Sequence, residues 1–262
     1  MRISEVEVGQ DETTNTTAAL RRHEAEAERL LGFVSFLGGL ITHADEAASK
    51  AAEFLLKYEA PEEEERRRLE DTTSGRAGAR RTMQERYAQL ATQLVFQRLI
   101  DNFLSYISDL LRLIFATRPE ALRSSETVRL EEILRYETMD ELMRFLVERR
   151  VERLAYLSVR DLASDLSSLL GVKLFEEAEE LQKTVELVAI RNLVAHNRGV
   201  VNARFLRLVP TYRKSEGEEI WLDADDYFEA TEFLDNVARR IDEVAIAHFH
   251  LAPGERVEPT ET

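Results

Sequence analysis

Arg191-Asn192-Leu193-Val194-Ala195-His196-Asn197-Arg198-Gly199 closes the stretch around which the chain is organised, Glu176 to Gly199. Leu181, Val185, Val188 and Ala195 recur at spacings of three or four, with a gap at Asn192, which is the apolar stripe of an amphipathic helix. Arg198 in the last turn and Gly199 just beyond it are C-terminal signals, because only glycine enters the left-handed conformation without strain. The pattern predicts a long helix that stops at Gly199.

Arg191 and His196 stand roughly 140° apart around such a helix and about 7.5 Å apart along it. They are therefore not stacked as a metal-binding pair four positions apart is. Asn192 falls in the sector between them, so the three side chains share one broad face that a second body would have to cover. Charge is the second clue. From Leu187 through Ser215 the cations are Arg191, Arg198, Arg204, Arg207, Arg213 and Lys214, and that window holds no Asp or Glu. The whole chain carries 50 acidic against 35 basic residues, a formal charge of −15. A local reversal of sign on an acidic protein points to an anion, with phosphate the obvious candidate. The net charge argues against sequence-blind coating of nucleic acid, though not against a local basic cleft.

With 262 residues the chain can hold one large domain or two small ones. Sparse Gly and Pro, with plentiful Leu, Ala, Glu and Arg, favour helix. No run of eighteen apolar residues is present, the N-terminus does not read as a signal peptide, and there is no cysteine for disulfides or thiolate metal sites. A cytoplasmic protein is the simplest reading.

Taken in order, residues 1–14 read as a frayed polar end, and Thr17 to Tyr58 as helix, with Leu20, Leu30, Leu31, Val34 and Leu37 on one face and a break or kink at Gly38-Gly39. His23 and His43 read as ordinary surface or interface residues. Pro61 opens a charged helix with Glu62–Arg66, Glu63–Arg67 and Glu64–Arg68 pairs, and Thr72 to Gly78 reads as a flexible linker. A helix over Arg81–Thr117 presents Leu90, Leu94, Phe96, Leu99, Phe103, Tyr106 and their successors as a buried face and is closed by Pro119. Thr127 to Tyr136 fits a short helix or a strand equally. Thr138 with Glu141 and Ser158 with Asp161 are helix N-caps, the second helix ending at Gly171. Phe205–Val209 and Ile220–Leu222 read as a small hairpin, and Asp223 as the cap of a last helix to Phe249. His248 and His250 lack a carboxylate at ligand spacing, so no metal site is assigned. The expected division is an N-terminal helical region over 1–60, a charged helix and linker over 61–81, a helical domain over 82–252 and a disordered tail over 253–262.

The run from Arg191 to Asn202, an Arg with a polar neighbour and a His after four intervening positions at a helix end, followed by Gly-Val-Val-Asn, resembles the defining motif of the HEPN superfamily. The helix around Gln97 to Ile107, ending before Pro-Glu, is similar to that of its bacterial members, and the likeness spans roughly 82–250. The resemblance implies an all-α HEPN-like bundle, here with an N-terminal helical extension and the small hairpin before the last helix. It implies a homodimer in which two motifs meet in one cleft. Many members are metal-independent endoribonucleases of toxin–antitoxin, abortive-infection and CRISPR-associated systems, with RNA as substrate and at times an antitoxin as partner. Others serve only as interaction modules. One subgroup has a Tyr two positions after the His; Arg198 stands there in this chain, so that group's regulation by tyrosine modification does not carry over.

The residues suit such chemistry. RNA cleaves without metal when its 2′-OH attacks the adjacent phosphate, which needs a group titrating near neutrality and a cation for the growing charge. His196 fits the first role and Arg191 the second, with Asn192 orienting the His or a phosphate oxygen. Asn197, Arg198, Arg204 and Arg207 are the expected substrate-binding auxiliaries, and no cofactor is required. Against this stands a plain structural reading, in which Arg191 pairs with a carboxylate of another helix and His196 caps the helix end. The competing functions are a non-catalytic dimerisation or partner-binding module and nucleotide binding without cleavage. The lack of a Gly-rich phosphate loop excludes P-loop and dinucleotide enzymes.

Overall fold

The structure, a computed structural model, describes residues 16–122 and 127–252. The ends expected to be frayed at 1–14 and disordered at 253–262 lie outside the described residues. The architecture is all-α. Helices α1 (Ala18–Tyr58), α2 (Glu63–Thr73), α3 (Ala79–Thr82) and α4 (Ala88–Thr117) are followed by α5 (Leu130–Ile133), α6 (Met139–Ala155), α7 (Val159–Leu170), α8 (Ala178–Asn197), α9 (Ala203–Leu208) and α10 (Ala224–Phe249). No described helix is long and apolar enough to cross a membrane.

Helix α4 is the hub, packing against α1, α6, α8 and α10. Its buried residues, among them Phe96, Leu99, Phe103, Tyr106, Leu110, Ile114 and Phe115, recur at the three- and four-residue spacing of one wide face. Truncating a side chain such as Phe103, 1% exposed, costs about 3–5 kcal/mol. The face begins later than the sequence pattern suggests, since Leu90 and Leu94 are more than half exposed. Polar bonds fix the packing: Asn102 Nδ2 donates to the His23 carbonyl at 2.9 Å, and the Tyr106 hydroxyl donates to the Ala238 carbonyl at 2.9 Å.

Local chemistry sets most helix starts. Thr138, Ser158 and Asp223 each accept a bond from the backbone N–H three residues on, at 3.2, 3.2 and 3.1 Å. Asp226 returns a bond to the Asp223 N–H at 2.9 Å, completing a reciprocal box. Glu141 reaches one residue further back than expected, to the Glu137 N–H at 3.1 Å. The undecided segment before Tyr136 holds the single-turn helix α5, whose start is tied by Glu132 Oε2 accepting from the Arg129 N–H at 3.1 Å.

Four expectations are corrected. Helix α1 runs unbroken through Gly38 and Gly39, because helical hydrogen bonding on both sides outweighs two unfavourable residues. Leu31 and Val34 are exposed, so the inward stripe of α1 does not include them. The linker near Gly78 is anchored, with the Asp45 carboxylate accepting from the Ala79 and Arg80 N–H groups at 2.6 and 2.9 Å. The hairpin is absent: 203–208 is helical, capped by Asn202 accepting from the Phe205 N–H at 2.9 Å, with Phe205 and Val209 buried four apart on one face. What survives of strand pairing is a single antiparallel bridge, Val200 to Glu219, among the described residues.

A candidate phosphate-binding trough

Helix α8 supplies the candidate side chains, and its packing explains which way they point. Its buried positions are Thr184, Val185, Leu187, Ala189, Ile190 and Leu193. The stripe legible in the sequence is the neighbouring face. Val185 and Val188 line a cleft of about 890 Å³, and the polar Asn192 interrupts the stripe because it lies on that open wall. Arg191, Asn192, His196 and Arg204 line the same cleft, together with Asp101, Ser105, Ser108, Asp109 and Arg112 of α4 and Tyr156 to Arg160 of the α6–α7 turn. A second cleft of about 320 Å³ shares Asn192, His196 and Arg204 with the first and adds Asn197 and Asn202. The shared residues make the two clefts adjoining parts of one trough.

Arg191 does not project freely. Its Nη2 lies 2.5 Å from Asp101 Oδ1 on α4, and its Nη1 donates to Asn192 Oδ1 at 3.0 Å. The Nε hydrogen is buried and unpartnered. The side chain, 23% exposed, is thus held from two sides while its buried Nε hydrogen is left without a partner. Asn192 orients Arg191, a role the sequence did not suggest. His196 is exposed and lines both clefts.

The end of α8 is built by an unusual turn. Arg198 (φ 54°) and Gly199 (φ 76°) are both left-handed, and the N–H groups of both donate to the Leu193 carbonyl. Glycine is favoured at 199 by its φ of 76°, and a Cβ there would also crowd the Gln93 side chain, 3.1 Å from Nε2. Asn197 contributes to the turn by donating from Nδ2 to the Val200 carbonyl, so its amide is already committed.

The expected site residues therefore separate into groups. Arg191, Asn192, His196 and Arg204 converge, and Asn197 borders the smaller cleft. Arg198, Arg207 and Arg213 are exposed but line neither cleft, and the half-buried Lys214 lines neither as well. The basic window is thus only partly gathered into one site. Sequence reading missed Arg112, Arg160, Asp101 and Tyr156. Arg112 is tied to Asp109 and Glu148 at 2.8 Å each, and Arg160 donates to Gln182. Tyr156, 91% exposed, ends α6 at the cleft and offers a free aromatic face of the kind that stacks on bases. No local signal marks it; a tyrosine after a helix is ordinary until the fold sets it on the same cleft as Arg191.

The other histidines fall elsewhere. His23 is not a surface residue: its side chain is fully buried, with Nε2 3.0 Å from Asp235 Oδ1 and the ring against Tyr106. His43, His248 and His250 are exposed. Among the described residues no three His, Asp or Glu side chains are grouped to hold a metal ion. Comparison with protein-family models, with curated proteins and with solved structures finds no match to this chain.

Proposed function

We propose that the chain is a metal-independent endoribonuclease of the HEPN type acting at the Arg191–His196 trough. The observation that carries this reading is the convergence of Arg191, Asn192, His196 and Arg204 on one cleft, which places a tethered guanidinium and an exposed imidazole in the same lining. Arg191 and Arg204 hold the scissile phosphate, and Arg191 stabilises the charge that grows on its oxygens during attack. Neutral His196 accepts the proton of the 2′-OH as that oxygen bonds to phosphorus. The bond to the 5′-oxygen breaks, leaving a cyclic 2′,3′-phosphate and a 5′-hydroxyl once the leaving oxygen takes a proton. In a homodimer with a composite site, His196 of a second copy supplies the general acid; His196 is the one imidazole among the described residues that line either cleft. A toxin or effector role in prokaryotic defence, and an antitoxin or other defence protein as partner, rest on the motif resemblance alone.

The test is cleavage of total RNA and tRNA in EDTA by the intact protein, His196→Ala and Arg191→Ala. Cleavage to cyclic-phosphate ends by the intact protein alone is the expected result. One observation favours a second reading: Asp101 already neutralises Arg191, as in a purely structural pair. If no variant and no wild type cleaves RNA while all stay folded, the chain is a non-catalytic module for a protein or nucleotide partner.

A further inference from the structure

We propose that the distal part of α1 is a self-complementary seam that pairs antiparallel with α1 of a second copy of this chain. The proposal does not rest on the ribonuclease reading, because no residue of the seam lines either cleft.

The projecting part of the chain has almost no interior of its own. Between residues 31 and 87, Ala52 is the one buried residue, although the segment is helical nearly throughout. Ordering that many residues without burial is unfavourable unless another body covers them. The uncovered side of α1 is apolar and regular. Starting at Phe33, the positions alternately four and three apart are all Phe, Leu, Ala or Tyr, as far as Tyr58. That is a heptad seam sustained for more than three heptads, or about 38 Å of helix, the length at which the pattern specifies a second helix. Phe33, Leu40, Phe54 and Tyr58 are each more than half exposed, and Leu37 is half-buried.

The order of residues along the seam identifies the occupant. A two-fold axis placed midway between Ala44 and Ala47 sets Ala44 opposite Ala47 of the second copy. The same axis sets Leu40 opposite Ala51, Leu37 opposite Phe54 and Phe33 opposite Tyr58. Small residues meet at the axis, where two helices approach most closely, and large ones meet where crossing helices diverge. Every position finds an apolar partner, which is the condition for an isologous interface. The ends match in charge as well. Continuing the register brings Arg29, whose side chain is 83% exposed, towards the Glu62-Glu63-Glu64-Glu65 tip of the second copy. The seam itself carries no acid on a chain of net charge −15, so it can face its own copy without the repulsion the rest of the surface would meet.

Mass measurement by light scattering on the full chain, with Ala47→Glu beside it, tests the interface. The wild type is expected as an oligomer. Ala47→Glu, an exposed position in the single chain, should halve the particle mass and weaken self-association by roughly a hundredfold while leaving helical content unchanged. The register is read by oxidation, with no background because the chain has no cysteine. A mixture of Leu40→Cys and Ala51→Cys should cross-link, and neither variant alone should. A monomeric wild type, which would leave the seam to a different protein, overturns the proposal. So does an assembly whose mass Ala47→Glu leaves unchanged, or cross-linking of either single variant with itself, the mark of a parallel pair.

Discussion

The guanidinium of Arg191 and the carboxylate of Asp101 meet at 2.5 Å across the α4–α8 contact, at the wall of the 890 Å³ cleft. The pair does two opposing things. It fixes the fork of Arg191 towards the trough, and it places a negative charge where a phosphate must come. Asp101→Asn keeps the shape and removes the charge. Binding of short single-stranded RNA should tighten by roughly threefold to tenfold at low salt and less at high salt. Cleavage at saturating RNA should fall, because the guanidinium loses the partner that aims it. Anisotropy titrations at two salt concentrations and single-turnover cleavage separate the effects; weaker binding would make Asp101 a structural prop for the cleft.

Arg191→Lys distinguishes a fork from a point charge. A lysine keeps the charge yet cannot hold Asp101, Asn192 and a phosphate in one plane. The expected loss of cleavage is roughly 10²–10³-fold, with RNA affinity changed far less. Near-full activity in Arg191→Lys would mean that only charge matters at this position.

Where chemistry is local, the sequence was informative. Thr138, Ser158 and Asp223 act as caps because a hydroxyl or carboxylate reaches a backbone N–H three residues away whatever the rest of the fold does. Two glycines do not break α1, since the cost of each is about 1 kcal/mol and a 41-residue helix absorbs it. Phe205 to Val209 satisfies period two and period 3.6 alike, and the Asn202 cap decides for helix. At the site, Arg191, Asn192, His196 and Arg204 were legible because they fall within fourteen residues of sequence, on α8 and the start of α9. Asp101, Arg112, Tyr156 and Arg160 were not, because only the packing of α6 and α8 on α4, and of α7 on α8, brings them to the same wall.

Arg198 is held at φ 54°, where a side chain costs roughly 1 kcal/mol relative to glycine. It lines neither cleft. Arg198→Gly should therefore raise stability by about 1 kcal/mol, or about 2–4 °C in Tm, and leave RNA affinity within roughly twofold. Calorimetry and the same anisotropy titration check both halves. A large loss of affinity with the gain in stability would place Arg198 on the phosphate path outside the trough.

Asp242 of α10, 1% exposed, binds the start of α1: its carboxylate accepts from the Thr17 N–H at 2.9 Å and from the Thr17 hydroxyl at 2.5 Å, with the Tyr106 hydroxyl 3.5 Å away. Burial pushes its carboxyl above the ordinary value, and the bonds from Thr17 and Tyr106 offset that only in part. A raised acid gives a definite sign. Its contribution to stability is complete below the unfolded carboxylate pKa of about 3.9 and is lost as pH rises through the higher folded value. Asp242→Asn does not titrate, so its stability lacks this component at every pH. The advantage of wild type over Asp242→Asn should therefore be larger at mildly acidic pH than above neutrality, measured as the difference in urea midpoints. An advantage that grows with pH instead would show that the Thr17 bonds to the charged carboxylate outweigh its burial, and that the α1–α10 clasp is strongest ionised.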